Sequence, residues 1–404
     1  MFYKRDDYFY IGNIFIFLTI YFLIIPFVLS EFDLRVMLAL PVFFIGFLSF
    51  FLGLKTKKYF KIKSASYESM CLHKRTNFAL LIMSLFLLFV DMYHAIFIIL
   101  NSVENNLNYT SRYFLDNNYS SLYVQISTLI FLYIKLYLYA LLMSRSKSYY
   151  YLIFIIQVVL YSTSQVRLVA LSPFIIFIIY GFYMGYIKIS LPRVLVLLLL
   201  SPALFLILLI SRGKAEGVRY FFNYEHLDML FSDTNLPTLI YTSMESFLSF
   251  EYLLRVINDG MFFIESGIIR IFFMPISRDY WMDKPEAFSR IIAKNYNIDQ
   301  YDSGGGSVAT IYGDAFLNGH VIGVVLVMFA VGYFSKVVYN TVFSNLYVNK
   351  EQKSMLLILY SIFIYQFLFY FRGFLSESYW KFILLIFVFI VLYSTQRILF
   401  RLLR

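Results

Sequence analysis

Arg278, Trp281 and Lys284 stand at three-residue steps, followed by Pro285. A guanidinium keeps its charge at any working pH and offers a phosphate two parallel N–H donors, which a lysine ammonium cannot reproduce. An indole face, like those of Tyr280, Tyr296, Tyr301 and Tyr312 nearby, stacks on a sugar ring or sits at a membrane interface. On a helix the three-residue steps predict one shared face. Gly304-Gly305-Gly306 supplies backbone that approaches an anion closely, or a flexible linker. No GxxxxGK[ST] is present, so this is not a nucleotide P-loop. Arg167, Arg212, Arg270 and Arg372 add further guanidinium groups. The set suits a pyrophosphate anchored at headgroup level.

A transfer onto a hydroxyl calls for a general base. Asp314 follows Gly313 between the glycine run and an apolar stretch, and Glu245, Glu251 and His320 are the alternatives. No D-x-D occurs, so a metal-bound sugar nucleotide has no carboxylate pair to hold it. The four histidines are scattered and Cys71 is the single cysteine, which leaves no metal spacing and no disulfide. Neither a metal nor a cofactor is expected.

The elements that position these residues are membrane helices. Of 404 residues 61% are apolar and only 14% charged, against about 25% charged in soluble domains. A crossing helix needs about 20 apolar residues. Ten runs qualify, at 11–30, 34–54, 77–100, 121–143, 149–166, 168–186, 194–211, 320–340, 354–371 and 379–398. With the N-terminus inside, inner segments hold nineteen Lys/Arg against four Asp/Glu, and outer segments fourteen against nineteen. The net charge of +10 is therefore an orientation signal, and no nucleic-acid partner is needed to explain it. Asp91 and Lys135 lie inside runs three and four, where charge is costly, and are expected to pair.

The expected fold is an all-α polytopic membrane protein of about ten transmembrane helices. Residues 1–211 form one membrane part, 212–319 a large external segment, and 320–404 a second membrane part. Within the external segment, 236–257 reads as an amphipathic helix with Glu251 and Arg255 paired at i,i+4. Residues 261–274 are apolar but too short to span, and read as interfacial or re-entrant.

The run Arg278-x-x-Trp281-x-x-Lys284-Pro285 resembles the R-x-x-W-x-x-K-P motif of Wzy-type O-antigen and oligosaccharide repeat-unit polymerases. The stretch Gly313-Asp314-Ala315-Phe316-Leu317-Asn318-Gly319-His320, then Gly323, is similar to a second family motif, G-E-x-Y-x-N-F-G-x-x-G. Asp314 stands for the usual Glu and Gly-His for Phe-Gly. Residues 162–167, ending in Arg167, and Arg372-Gly373 echo two further family features. The resemblance implies an inner-membrane glycosyltransferase, active at the periplasmic face, that polymerises undecaprenyl-pyrophosphate-linked oligosaccharides into O-antigen or capsule. For that reaction, with charge building on the leaving pyrophosphate and a proton to be taken from the acceptor hydroxyl, Arg278, Arg212 and Asp314 are expected to be catalytic. Lys284, Arg270, Arg372, Arg167, Trp281 and Gly304–Gly306 are expected to bind substrate, and a chain-length regulator is the implied partner. O-antigen ligase and a lipid-linked oligosaccharide flippase are the alternatives. No internal repeat of the transporter kind is visible.

The charge distribution generates a topological test. A cysteine at Lys58 is expected to label only from the cytoplasmic side and one at Asp302 only from the outer side. Labelling of the Lys58 position from outside would overturn the orientation.

Overall fold

A computed structural model describes residues 9–29, 34–59, 74–104, 122–162, 167–188, 245–273, 276, 280–302, 304–345, 350–373, 378–387 and 390–391. Among them there is no strand. Arg278, Arg212 and the run 194–211 lie outside the described residues. In chain order the helices are α1 (Ile11–Thr19), a π-helical turn (Ile20–Ile24) and α2 (Ile25–Leu29). Then come α3 (Leu34–Gly53), α4 (Lys74–Glu104), α5 (Leu122–Arg145), α6 (Lys147–Ser162) and α7 (Arg167–Tyr183). After them follow α8 (Glu245–Asn258), α9 (Ile268–Phe273), α10 (Phe288–Tyr296) and α11 (Ile298–Asp302). The last four are α12 (Thr310–Leu317), α13 (His320–Ser344), α14 (Lys350–Phe371) and α15 (Ser378–Phe387).

Among the described residues five helices are long and apolar enough to cross a membrane. They are Ile11–Val28, Arg35–Gly53, Leu80–Phe97, His320–Ser344 and Lys353–Phe371. Three shorter apolar helices, Lys147–Leu160, Pro173–Tyr183 and Ser378–Phe387, overlap parts of three more of the ten expected runs without reaching spanning length among the described residues. The protein is an α-helical membrane protein. Large apolar side chains stand exposed along these helices, such as Phe44 at 65% and Phe89 at 64%. In water that would be a liability; in hydrocarbon it is the required surface.

The chain divides into two compact units. The first comprises residues 1–63, 244–347 and 363–387, so residues 244–319 of the segment expected to be external share a unit with membrane helices, while 212–243 fall in the second unit. Its spine is the pair α3–α13. A side chain at Gly53 would strike the Phe329 carbonyl, and one at Gly332 would strike the Phe50 carbonyl. Small residues let two backbones meet where lipid gives no hydrophobic drive to associate. Phe15 of α1 stacks on Phe50 at 3.7 Å and meets Phe371 of α14 edge-on at 5.5 Å.

The second unit comprises 64–243, 348–362 and 388–404. The expected pair is present: Lys135 Nζ of α5 lies 2.6 Å from Asp91 Oδ2 of α4. The same oxygen accepts from the Tyr139 hydroxyl and from Gln157 Nε2 of α6, each at 2.5 Å. One carboxylate oxygen thus ties three helices. A second tie runs through Ser354, whose hydroxyl donates to the Ala140 carbonyl at 2.7 Å and lies 2.6 Å from the Tyr180 hydroxyl.

Removing one partner of a buried ion pair strands the other charge, at about 3–5 kcal/mol. Asp91→Asn and Lys135→Met are each expected to lower the unfolding temperature in detergent strongly. The double substitution is expected to recover much of the loss, because neither charge remains. Additive losses would show that the pair contributes no coupling.

Candidate functional site

The first unit gathers the three sequence segments that carried the chemical reading: 276–290, 304–323 and 372–373. The junction of the last two is direct. The Thr310 amide donates to the Arg372 carbonyl at 3.0 Å. A Cβ on Gly373, whose φ is +112°, would lie 3.1 Å from the Thr310 carbonyl. Thr310 itself has φ +60°, a left-handed conformation that a β-branched residue adopts only under strain. Its hydroxyl is buried with no hydrogen-bond partner among the described residues, as is that of Ser249 on α8. From this start α12 runs inward, with every residue buried from Thr310 to Leu317.

Asp314 sits mid-way along that helix at 2% exposure. Its carboxylate lies close enough to the Tyr370 phenol to interact electrostatically. Asn318 Nδ2 donates to the Asp314 carbonyl at 2.7 Å. The Asn318 side chain is pressed against Gly267, where any Cβ would collide with it. This packing interrupts the 261–274 stretch at Gly267. The stretch therefore forms a 3-10 turn at Ile264–Ser266 and the short α9, not one continuous helix. Arg270, three residues beyond Gly267, is half-buried with its Nε enclosed.

Arg372 brings its guanidinium over the Phe369 ring at 6.0 Å and interacts electrostatically with Tyr21. Tyr21 lies in the π-helical turn between α1 and α2, within reach of Ser246 on α8. A π-turn is a frequent mark of a functional position. Tyr21, Ser246, Ser249, Thr310 and Tyr370 were not singled out by the sequence. Short polar side chains in apolar helices carry no spacing signature, and neither the π-turn nor the strained φ has a residue code.

The Trp281–Lys284 stretch departs from the expected helical face. Residues 281–287 are turn and loop, with the Lys284 amide donating to the Trp281 carbonyl at 3.2 Å. Trp281 meets Phe273 edge-on at 5.3 Å. The Lys284 side chain is buried and its ammonium donates to the Ile276 carbonyl at 2.7 Å. Lys284 and Trp281 therefore point to different neighbours.

The three glycines are also placed by local geometry. The Gly305 amide donates to the Gln300 carbonyl at 2.8 Å and the Gly304 amide to Tyr301 at 3.0 Å. With Gly304 at φ +83°, this is a Schellman cap on α11. Two of the three amides are thus used within the cap, and an anion cradle here rests on Gly306. Arg290 fixes the loop from beneath. Its Nη1 donates to the Tyr301 and Gly305 carbonyls, each at 2.7 Å, and its guanidinium lies 4.0 Å from the Tyr301 ring centroid. Gln300 Nε2 holds the Gly306 carbonyl at 2.9 Å.

The other candidates divide. Glu245 opens α8. Glu251 is ion-paired to Arg255 at 2.5 Å, as its spacing predicted. His320 has φ +49° and stacks on Phe262 at 5.4 Å. Tyr312 is fully buried among apolar rings, which leaves it no sugar face to offer. The Tyr296 phenol donates to Asp259 at 2.5 Å; burial, then that carboxylate, raises its pKa above the ordinary phenol value. Arg167 begins α7 in the second unit. Among the described residues no three His, Cys, Asp or Glu side chains come together as a metal site.

The chain matches no protein-family model, no curated protein and no solved structure.

The loop geometry generates its own prediction. Arg290→Ala removes a charged donor from two carbonyls and is expected to cost roughly 1.5–3 kcal/mol. Gly304→Ala forces a side chain into the left-handed region at about 1–2 kcal/mol. Both should lower the unfolding temperature and speed proteolysis within 298–307. Unchanged cleavage in Arg290→Ala would show that the loop holds without its clamp.

Proposed function

We propose that this protein is a Wzy-type polymerase. In this reading it transfers a growing oligosaccharide from undecaprenyl pyrophosphate to the next lipid-linked repeat unit, at the outer face of the cytoplasmic membrane. Ten spans with both termini cytoplasmic belong to the same reading. One observation carries it. The helix that carries the start of the Gly313–Gly323 segment begins at Thr310, whose amide donates to the Arg372 carbonyl of the Arg372-Gly373 turn, in the unit that also holds the Trp281–Pro285 loop; both the segment and the turn echo the family.

The chemistry follows from the groups. The bond that breaks joins the sugar to pyrophosphate, so charge builds on the leaving phosphate. Guanidinium groups held at that point stabilise the transition state more than the ground state. Arg278 and Arg212 are assigned that role, with Arg270 and Arg372 in support. Asp314 is assigned the proton of the acceptor hydroxyl. Lys284, whose ammonium is committed to the Ile276 carbonyl, changes role from phosphate ligand to structural clamp.

Deleting the gene and resolving the surface polysaccharide by gel is the test. Single-repeat products, with ladders restored by the wild-type gene, support the reading. Full-length chains stranded on the carrier indicate a ligase, and no product outside indicates a flippase; either overturns it. With expression matched, Arg278→Ala is expected to abolish ladders, corresponding to roughly 100- to 1000-fold in rate. Arg278→Lys should rescue only in part, since the two-pronged contact is lost. Asp314→Asn is expected to abolish extension as well.

A further inference from the structure

In the first unit, a run of large apolar side chains faces outward from a segment that is too short to span. Phe262 is 48% exposed, Phe272 76%, Tyr280 90% and Met282 84%. They lie on three pieces: residues 261–263 before the 3-10 turn, α9, and the turn at Tyr280–Lys284. Each piece is held from behind. The Phe263 amide donates to the Leu317 carbonyl at 2.9 Å, Gly267 is pressed on Asn318, and the Lys284 ammonium holds the Ile276 carbonyl. Lysine normally extends its ammonium to water past an apolar stem. Here it turns inward and is buried, while its neighbours Tyr280 and Met282 project.

Continuity identifies what covers this face. Phe262 stacks on His320, the first residue of α13, and the next turns of α13 present Ile322, 72% exposed, and Leu326, 63% exposed. α13 is long and apolar enough to cross the membrane, so Ile322 and Leu326 belong to its lipid-facing stripe. Phe262 therefore adjoins that stripe at the end of the helix, which is where the acyl chains give way to headgroups, and the exposed Phe272, Tyr280 and Met282 follow it along the chain. Aromatic and amphipathic side chains concentrate at that depth.

We infer that the Phe262–Phe273 and Tyr280–Met282 pieces make a preformed membrane wedge. The Tyr280–Met282 tip is seated at the headgroup–acyl boundary of the leaflet at the His320 end of α13, and the partner is bilayer lipid. This holds whether or not the catalytic reading above is correct.

The chain has two tryptophans, Trp281 and Trp380, so Trp380→Phe leaves the wedge as the sole indole. The full-length variant is placed in phosphatidylcholine nanodiscs whose lipids are brominated either near the glycerol or near the terminal methyl. Expected are a blue-shifted emission, strong quenching by the glycerol-proximal bromines, weak quenching by the methyl-end bromines, and near-complete loss of acrylamide access. Emission quenched by acrylamide and untouched by bromolipid would place the loop in water and overturn the proposal. Protection from both quenchers would mean a protein contact and would overturn it equally. Strongest quenching at the methyl end would mean a deep re-entrant segment, against boundary seating. If Trp380→Phe fails to fold, Cys71→Ser with Met282→Cys carrying an environment-sensitive dye reads the same quantity. In either background Phe272→Glu should diminish bromolipid quenching.

Discussion

A single backbone hydrogen bond, from the Thr310 amide to the Arg372 carbonyl, holds the candidate site together. It joins the start of a short buried helix to the turn that ends a long membrane helix. Thr310 takes up a left-handed backbone conformation to make it, at a cost of order 1–3 kcal/mol. Gly373 stands at φ +112°, where a Cβ would crowd the Thr310 backbone. The strain is sustained because α12 is buried along its whole length and cannot relax outward. Asp314, one turn further in, takes its position from this anchor, and so does Asn318, which in turn stops α9 from continuing backward through Gly267.

The surrounding solvent explains why the anchor must be so specific. In hydrocarbon, apolar surface gains nothing by leaving lipid for protein, so helices are held by close contact and by polar bonds. The α3–α13 seam uses the first device, with Gly53 and Gly332 each facing a carbonyl of the opposite helix. The Asp91 oxygen uses the second, with three donors from two neighbouring helices. Aromatic rings such as Phe15 and Phe50 fill the remaining space in the first unit.

What could be read from the sequence follows the same division. Length and apolar runs reported helices, because a membrane helix announces itself over about 20 residues. The Asp91–Lys135 pair was legible because charge inside such a run demands a partner. The Glu251–Arg255 pair was legible from its spacing. The turn at Trp281–Lys284 was not. Its three-residue steps matched a helix, yet Lys284 there reaches back to the Ile276 carbonyl, a contact that no periodicity encodes. The glycine run offered two readings, linker and cradle. The structure makes it a helix cap clamped by Arg290, whose role depends on carbonyls eleven and fifteen residues away. The hydroxyls of Ser249 and Thr310, unpartnered among the described residues, had no signal at all, since a lone serine or threonine in an apolar helix is ordinary.

Two buried carboxylates show why burial alone does not mark a site. Asp91 is 8% exposed and Asp314 2%. Asp91 is neutralised in place by an ammonium at 2.6 Å and bridged by two further donors, all from regular helices. That arrangement has every reason to persist as a brace. Asp314 stands on a helix of eight residues, one turn beyond a strained threonine and beside a turn that carries an arginine. Strain of that kind is retained where surrounding structure holds a group in a position it would not otherwise choose. Asp91 is thus accounted for as a brace, and Asp314 is the carboxylate to which the proposed function assigns chemistry.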